Sequence, residues 1–352
     1  MSERTNSNNK LRVTISDVAR TAGLSIATVS RVLSGYEFVS EATRKRVMEA
    51  VEQLGYVANL PARRLAGGRS RTIGLLVPNL DNGYVGTITL GIDKVLSRIN
   101  CDLVLYASHH QPSKETYYVH TIVNGITEGL LLIAPQYTNT YLDMLRAHDF
   151  PYVFIDQSEP TENSSIVEAE NYQGAYEATR YLCNLGHRRI AFIMGALNVQ
   201  SARERLRGYT AALIDCNIPL QQNLILEGNY QQQGGYEAAK HVLNNVDPPP
   251  TAIFASNDIS AFGAMDAVRE HGLSIPDQIS IIGFDDVPQA SLVYPKLTTV
   301  RQPLEQMGQI AAETLMERIK DKGCPPQRIT LATQLILRDT CAPCLLHDSE
   351  GS

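Results

Sequence analysis

Two groups of residues in this 352-residue chain carry side chains at spacings suited to recognition chemistry. The first lies in the stretch VARTAGLSIATVSRVLSG, Val18 to Gly35. Its small apolar pair Ile26–Ala27 allows close approach to a partner surface, and the fork of Arg31 matches the O6/N7 edge of a guanine. Around them Thr14, Ser25, Thr28 and Ser30 supply short hydroxyl donors of the kind that meet phosphate oxygens. The second group closes a series of apolar runs: Asp156 ends VFID, Asn257 and Asp258 end IFASND, and Asp285 and Asp286 end IIGFDD. Arg203 and Arg205 of SARERLRGY join them, with Tyr84 and Tyr230 expected in loops after strands. Carboxylates and arginine bind vicinal hydroxyls or polar ring groups, while aromatic faces cover the apolar side of a sugar or a base.

The first group needs short helices. Thr14 and Asp17 stand in a capping arrangement, so a helix starts just after Thr14. Ile15, Val18, Ala19 and Ala22 then fall on one apolar face. Gly23 ends that helix in the left-handed conformation and Ser25 caps the next. Val29, Val32 and Leu33 face inward there, leaving Ala27, Ser30 and Arg31 outward and Ile26 on the first turn. A third helix runs from Ser40 to Gly55 and buries Val47, Met48, Val51 and Leu54. Three short helices with a tight turn between the first two make a helix-turn-helix unit, whose second helix suits a major groove.

Next comes a basic segment, NLPARRLAGGRS, bounded by Gly67–Gly68. It has the residues for one or two helical turns starting at Asn59, with Pro61 tolerated in the first. So short a helix is not stable alone and would need DNA and a second copy of itself.

The second group needs parallel sheets. TIGLLVP, CDLVLYA, GLLLIA, PYVFID, RIAFIMG, TAIFAS and ISIIGFDD alternate with helical stretches. That alternation predicts two doubly wound parallel sheets with a ligand between them at the strand carboxyl ends.

Composition narrows the function. The net charge of −6 is unevenly spread: eleven Lys/Arg stand against six Asp/Glu up to Ser70, and twenty against thirty-one thereafter. A basic head on an acidic body points to a polyanion at the head. No apolar run reaches membrane-spanning length, and the polar N-terminus lacks the apolar region of a secretory signal. A disordered leader over 1–11 and a cytoplasmic location, with no membrane partner, are therefore expected.

Cys101, Cys183, Cys216 and Cys324 read as reduced, buried thiols. Cys341 and Cys344 form a C-x-x-C without a second ligand pair, so they read as exposed thiols of a terminal segment, and no metal or cofactor is implied. The dinucleotide, P-loop, nucleophile-elbow and H-E-x-x-H signatures are absent. His109–His110 are expected in an exposed loop and His187 in a turn. Adjacent acids such as Asp285–Asp286 face opposite ways on an extended chain. The chain thus reads as a binding protein and not an enzyme. A solute-binding protein would share the body but would need export and would leave the basic head without a purpose.

VTISDVARTAGLSIATVSRVLSG followed by VSEATRKRVMEAVEQLGY resembles the DNA-binding head of the lactose-repressor (LacI/GalR) family of bacterial transcription regulators. SARERLRGY, FASNDISAFGAM, ISIIGFDDV and LTTVRQPLEQMGQIAAETL resemble that family's periplasmic-binding-protein-like body. The resemblance implies that Ile26, Ala27 and Arg31 read bases, the apolar pair favouring thymine methyls. It implies a hinge helix in which Leu65 wedges the minor groove. There Ala62 packs where paired helices meet, and Arg63 and Arg64 lie near phosphates. It also implies that Tyr84, Asp156, Arg205, Tyr230, Asn257 and Asp285 surround a small effector. Pro61 replaces a more common aliphatic residue, and Gly83 and Val85 stand where members often carry bulkier ones.

The expected organisation is a DNA-binding domain over 12–57, a hinge over 58–70, a body over 71–341 and a tail over 342–352. Within the body, one subdomain takes about 71–165 and 299–328, and the other about 166–298 and 329–341. With no heptad repeat after the last strand, TQLILRD, a homodimer is expected. The function read from all this is a repressor on a pseudo-palindromic operator, controlled by a sugar or sugar phosphate. A purine or nucleoside effector is the alternative.

Overall fold

A computed structural model describes residues 13–33, 36, 38–56, 72–80, 83–125, 127–157 and 164–344. The chain divides into two units, a smaller one built on the residues up to Arg71 and a larger one starting at Thr72.

The smaller unit holds α1 (Ile15–Ala22), α2 (Ile26–Leu33) and α3 (Glu41–Leu54). The capping pair forms: the Thr14 N–H and hydroxyl both donate to Asp17 Oδ2, at 3.0 and 2.7 Å. Gly23 then reverses the chain at φ 63°, a conformation that a side chain would strain. Ser25 accepts from Thr28 N at 3.1 Å and starts α2, while Ser40 accepts from Thr43 N and starts α3. Val18, Ala19, Ala22, Val29, Val32, Val47 and Ala50 make the core. Val47, Val51 and Leu54 lie on the core side of α3 as expected, but Met48 does not. Met48 is 52% exposed, and Ala50, the smaller side chain, is the one that fits against α1. The hinge residues Ala62, Arg63 and Leu65 lie outside the described residues, as do the leader and the end of the tail.

The larger unit contains two six-stranded sheets. The first is ordered β11-β5-β4-β3-β1-β2 and is wholly parallel. It comprises β1 (Thr72–Val77), β2 (Asp102–Ala107), β3 (Gly129–Ile133), β4 (Tyr152–Ile155), β5 (Ser165–Ala169) and β11 (Arg328–Leu331). The second is ordered β12-β10-β9-β8-β6-β7 and is parallel except at its β12 edge. It comprises β6 (Ile190–Met194), β7 (Ile225–Glu227), β8 (Ala252–Ala255), β9 (Ser280–Asp285), β10 (Thr298–Arg301) and β12 (Gln334–Ile336).

Each sheet buries both faces. In β8, Ile253 and Ala255 enter the core beneath α9 (Gln232–Asn245) and α10 (Asp258–Glu270). Phe254, pointing the other way, packs beneath α7 (Asn171–Asn184) and α8 (Gln200–Asp215). The first sheet is covered likewise by α4 (Gly83–Arg98) and α11 (Leu304–Lys320) on one face. On the other lie α5 (Pro112–Asn124) and α6 (Leu142–Ala147).

The chain passes between the sheets three times, each time three or four residues later than the sequence suggests. It leaves after Ala169, after Arg301 and after Leu331, so β5, β10 and β11 each complete a ladder first. An earlier exit would strip buried backbone groups of their sheet partners. Both sheets also gain short strands (β5, β7, β10, β11) that no long apolar run announces.

Candidate functional site

In the head, Ser25, Ile26, Ala27 and Arg31 are exposed on the outer face of α2, with Thr28 and Ser30 half-buried beside them and Val29 and Val32 beneath. The hydroxyls are partly committed to the fold: Thr14 to Asp17, and Ser25 and Thr28 to one another at 2.8 Å. They cap helices first and face outward second.

In the body, both sheets reverse their strand order beside a neighbouring pair, 2-1-3 in one and 7-6-8 in the other. Ligand clefts of open α/β sheets form outside the strand carboxyl ends at such points. A cavity of about 70 Å³ lies there between the two sheets. Tyr84, Asp156, Arg205, Tyr230, Asn257 and Asp285 all line it. Asp156, Tyr230 and Asp285 follow or end strands, while Asn257 caps α10 by accepting from Ser260 N at 2.9 Å. Tyr84 departs from expectation. It stands in the first turn of α4, which begins at Gly83, and not in a loop.

Arg205 is the hub. It is 2% exposed, and its guanidinium lies 3.8 Å from the centre of the Phe284 ring. Nε donates to Asn171 Oδ1 at 2.8 Å, and Nη1 to the Ser256 carbonyl and, at 3.5 Å, to Asp285 Oδ1. Nη2 lies 4.0 Å from Asp156 Oδ2. The Tyr84 hydroxyl and Asn171 Nδ2 donate to Asp156 at 2.9 and 3.1 Å, and Gln302 Nε2 donates to Asp285 at 2.7 Å.

Burial pushes Asp285 up to about 7 against the pull of Arg205 and Gln302. Burial also raises Asp156, although Arg205, Tyr84 and Asn171 favour its charge. Burial pushes Tyr230 up to about 12 despite Arg205. Burial works against the Arg205 charge, but Tyr230, Asp285 and Asp156 outweigh it and raise its pKa.

The backbone is arranged for this convergence. Asp156, Tyr230 and Asp285 adopt φ of 58°, 62° and 115°, and the lining residues Ala134, Asn229 and His110 are also left-handed. Such conformations cost about 1–3 kcal/mol each and gather where a site over-determines them. Gly195 lets the Tyr230 ring approach: a Cβ there would lie 2.1 Å from it.

Several residues escaped the sequence reading. His109 is exposed in its loop as expected, but His110 beside it is half-buried and lines the cavity, with Nδ1 3.1 Å from Gln136 Nε2 and Nε2 3.4 Å from Asn79 Nδ2. It thereby joins the loops after β1, β2 and β3. Asn171, Ser201 and Gln302 were missed too, and their only signal is a position just beyond a strand or at a helix start. Arg203, by contrast, turns away to the Leu197 carbonyl and Gln200. Asp286 pairs with Arg301 and Arg338, and Asp258 receives Thr299 and the Val287 N–H.

Outside the site, His187 follows the turn at Gly186 as expected and is buried, within 2.9 Å of Thr251 Oγ1 and 3.1 Å of Ser280 Oγ and the Ala342 carbonyl. The strap it anchors carries Cys341 and Cys344, which are half-buried and not exposed. Burial pushes the Cys341 thiol up to about 12.

Comparison with known proteins bears on both units. The model for bacterial regulatory proteins of the lacI family matches residues 14–59, and that for a periplasmic binding protein-like domain matches 179–341. The HTH-type transcriptional repressor PurR of Vibrio cholerae serotype O1 (strain M66-2) is 35% identical over 328 residues, covering 93% of this chain and 97% of that protein. Among solved structures, the Lac repressor dimer bound to operator and the anti-inducer ONPF superposes with a TM-score of 0.81 at 29% identity. It covers 94% of this chain and 100% of that one. A complex of the transcriptional regulator CelR with cellobiose gives 0.73 at 31% identity with the same coverage.

Proposed function

The chain belongs to the lacI family of bacterial regulatory proteins and is a DNA-binding transcription regulator; from that premise we propose that it is a repressor acting as a homodimer. Its grip on a pseudo-palindromic operator is set by a small hydroxylated effector, a carbohydrate, in the body cleft. The observation that carries the effector reading is the convergence of six residues, each from a different segment, on one cavity between the two sheets. The relatives' operator-bound and cellobiose-bound structures support it by analogy.

On the DNA side, Arg31 bonds a guanine edge and Ile26 and Ala27 lie against thymine methyls. Thr14, Ser25, Thr28 and Ser30 meet phosphates, and half-sites sit about one helical turn apart. Residues 58–70 form the hinge, with Ala62 where the paired helices meet, Arg63 near phosphates and Leu65 as the wedge. The protein works in the cytoplasm and binds rather than turns over its effector.

The cavity sets the coupling. One water needs roughly 10–15 Å³ of such volume, so about 70 Å³ holds a few waters. A sugar enters as the two halves part at the three crossings or as the Arg205 network yields. Either change links effector binding to operator affinity in free energy.

The test is a thermal-shift panel of mono- and disaccharides, sugar phosphates, purines and nucleosides, followed by operator binding with and without each hit. A ligand at 100 times its Kd adds about 2.7 kcal/mol to the folded state. The expected result is a hit that also changes operator affinity. A hit that leaves operator affinity untouched, or a blank panel, counts against the effector reading. For the hinge, Leu65→Ala should weaken operator binding far more than binding to random DNA; equal losses would rule out the wedge.

A further inference from the structure

Resting on the effector reading above, we infer that the cleft selects an uncharged, hydroxyl-rich ligand and excludes the phosphorylated form of the same compound.

Among the described lining residues Arg205 is the one permanent cation, while Asp156 and Asp285 are both carboxylic acids. A third, Asp258, is fully buried and close enough to Asp285 to feel its charge. Arg205 Nε is committed to Asn171 and Nη1 to the Ser256 carbonyl and Asp285, while Nη2 lies 4.0 Å from Asp156 and Phe284 sits under the guanidinium face. Arg203 is turned to the Leu197 carbonyl and Gln200.

Two helix starts at the cleft already give an N–H to the protein itself: Asn257 Oδ1 takes the Ser260 N–H of α10, and Gln157 Oε1 takes the Gln200 N–H of α8. Those two groups are withheld from an anion that would otherwise use such positive ends.

A phosphate dianion only accepts hydrogen bonds, so against these carboxylates acceptor would meet acceptor and like charge would meet like. A sugar hydroxyl donates to a carboxylate and accepts from an amide or imidazole in the same contact. Asp156 and Asp285 fit the first need; the side-chain amides of Asn79 and Gln136 fit the second. A ligand without net charge therefore satisfies both walls.

The experiment is isothermal titration of the full chain with matched pairs, glucose against glucose 6-phosphate and cellobiose against its 6-phosphate, and separately with inorganic phosphate. The neutral member should bind at least about 100-fold more tightly, equivalent to about 2.7 kcal/mol, and inorganic phosphate should show no saturable binding in the cleft. A phosphorylated sugar that binds as tightly as its partner overturns the inference. So does saturable phosphate binding that Arg205→Gln removes. If neither member of any pair binds, the effector reading is what fails, and the phosphate arm still decides the question of charge. Asp156→Asn and Asp285→Asn keep side-chain volume while removing charge, and each should narrow the neutral-to-phosphate ratio at least tenfold. An unchanged ratio in folded variants would contradict the charge argument.

Discussion

Arg31 and Arg205 are the same side chain put to opposite uses. Arg31 stands exposed on the outer face of α2, whereas Arg205 is 2% exposed and enclosed by Asn171, Ser256, Asp285, Asp156 and Phe284. The contrast follows from the partners. A duplex is large and wet, and brings its own charge, so the head can leave its recognition groups in water on a small rigid core. A small ligand offers few contacts, so the body must orient its groups beforehand, at the cost of buried charge and left-handed backbone. Mutating the head's recognition face should therefore change binding with little effect on stability, while mutating the cleft should change both.

Removing Arg205 tests this most severely. Arg205→Ala leaves Asp156 and Asp285 without their cation and strands Asn171 Oδ1 and the Ser256 carbonyl. Removing one partner of a buried ion pair costs about 3–5 kcal/mol. Urea unfolding of the body should show a loss of that order, together with loss of any ligand-induced rise in Tm. A variant as stable as the parent would mean that the two carboxylates are held by something other than the guanidinium.

The pH dependence of the body sharpens the comparison. Asp285 is pushed from the ordinary 3.8 up to about 7, by burial first. A group protonated more readily in the folded state stabilises that state fully below its unfolded pKa. The gain is lost as pH rises through the folded value. The body should thus gain roughly 1–3 kcal/mol as pH falls from 8 to 5, and Asp285→Asn should flatten that slope. In the head, Asp17 is shifted the other way by its hydrogen bonds with Thr14 and by Arg20. Its contribution is present above the ordinary carboxylate value and is lost only on further acidification. Chemical denaturation of each unit across pH 5–8 separates a sloping body from a level head.

The same contrast explains what the sequence disclosed. In the head the relevant information is local: the Thr14–Asp17 cap, the left-handed Gly23 and the i, i+3, i+4 face lie within a few residues of what they determine. There the one miss was Met48, which faces out while Ala50, two residues on, lies inside. In the body, residues at the ends of long apolar runs were legible because a strand's carboxyl end is marked by its own sequence; Asp156, Asn257 and Asp285 are of this kind. His110 and Gln136 were not, because their meeting depends on three loops converging from β1, β2 and β3. The crossings after Ala169, Arg301 and Leu331 were misplaced for a related reason. Short strands such as β5 and β11 are defined by the partner they pair with, and nothing in SIVEA or RITL names that partner.

Arg31→Ala is the counterpart of the Arg205 variant. With its side chain on the surface, stability should stay within about 0.5 kcal/mol of the parent. Operator affinity should fall by about 1–3 kcal/mol, with discrimination relaxed at one base pair and binding to random DNA little changed. Fluorescence anisotropy on an operator and on single-position variants of it reads all three. A uniform loss across all sequences would assign Arg31 to a phosphate instead of a base.

The smallest effect falls where the two uses overlap, at Thr14. Its hydroxyl and N–H both engage Asp17 Oδ2, so the residue already serves as a cap before any phosphate arrives. Losing a threonine cap costs typically about 1 kcal/mol. Thr14→Ala should lower the melting temperature of the head by that equivalent, and Thr14→Ser should restore it. If capping is its main work, operator affinity measured well below the melting point should fall by less than about threefold, since the folded head remains dominant there. A tenfold fall with an unchanged melt would reverse the order and make the phosphate contact primary. The distinction matters because a hydroxyl that serves both purposes is fixed in direction by the helix it caps. The head would then be pre-oriented at its edges, as the body cleft is throughout, and only its arginine and its apolar pair would be left to adapt to the DNA.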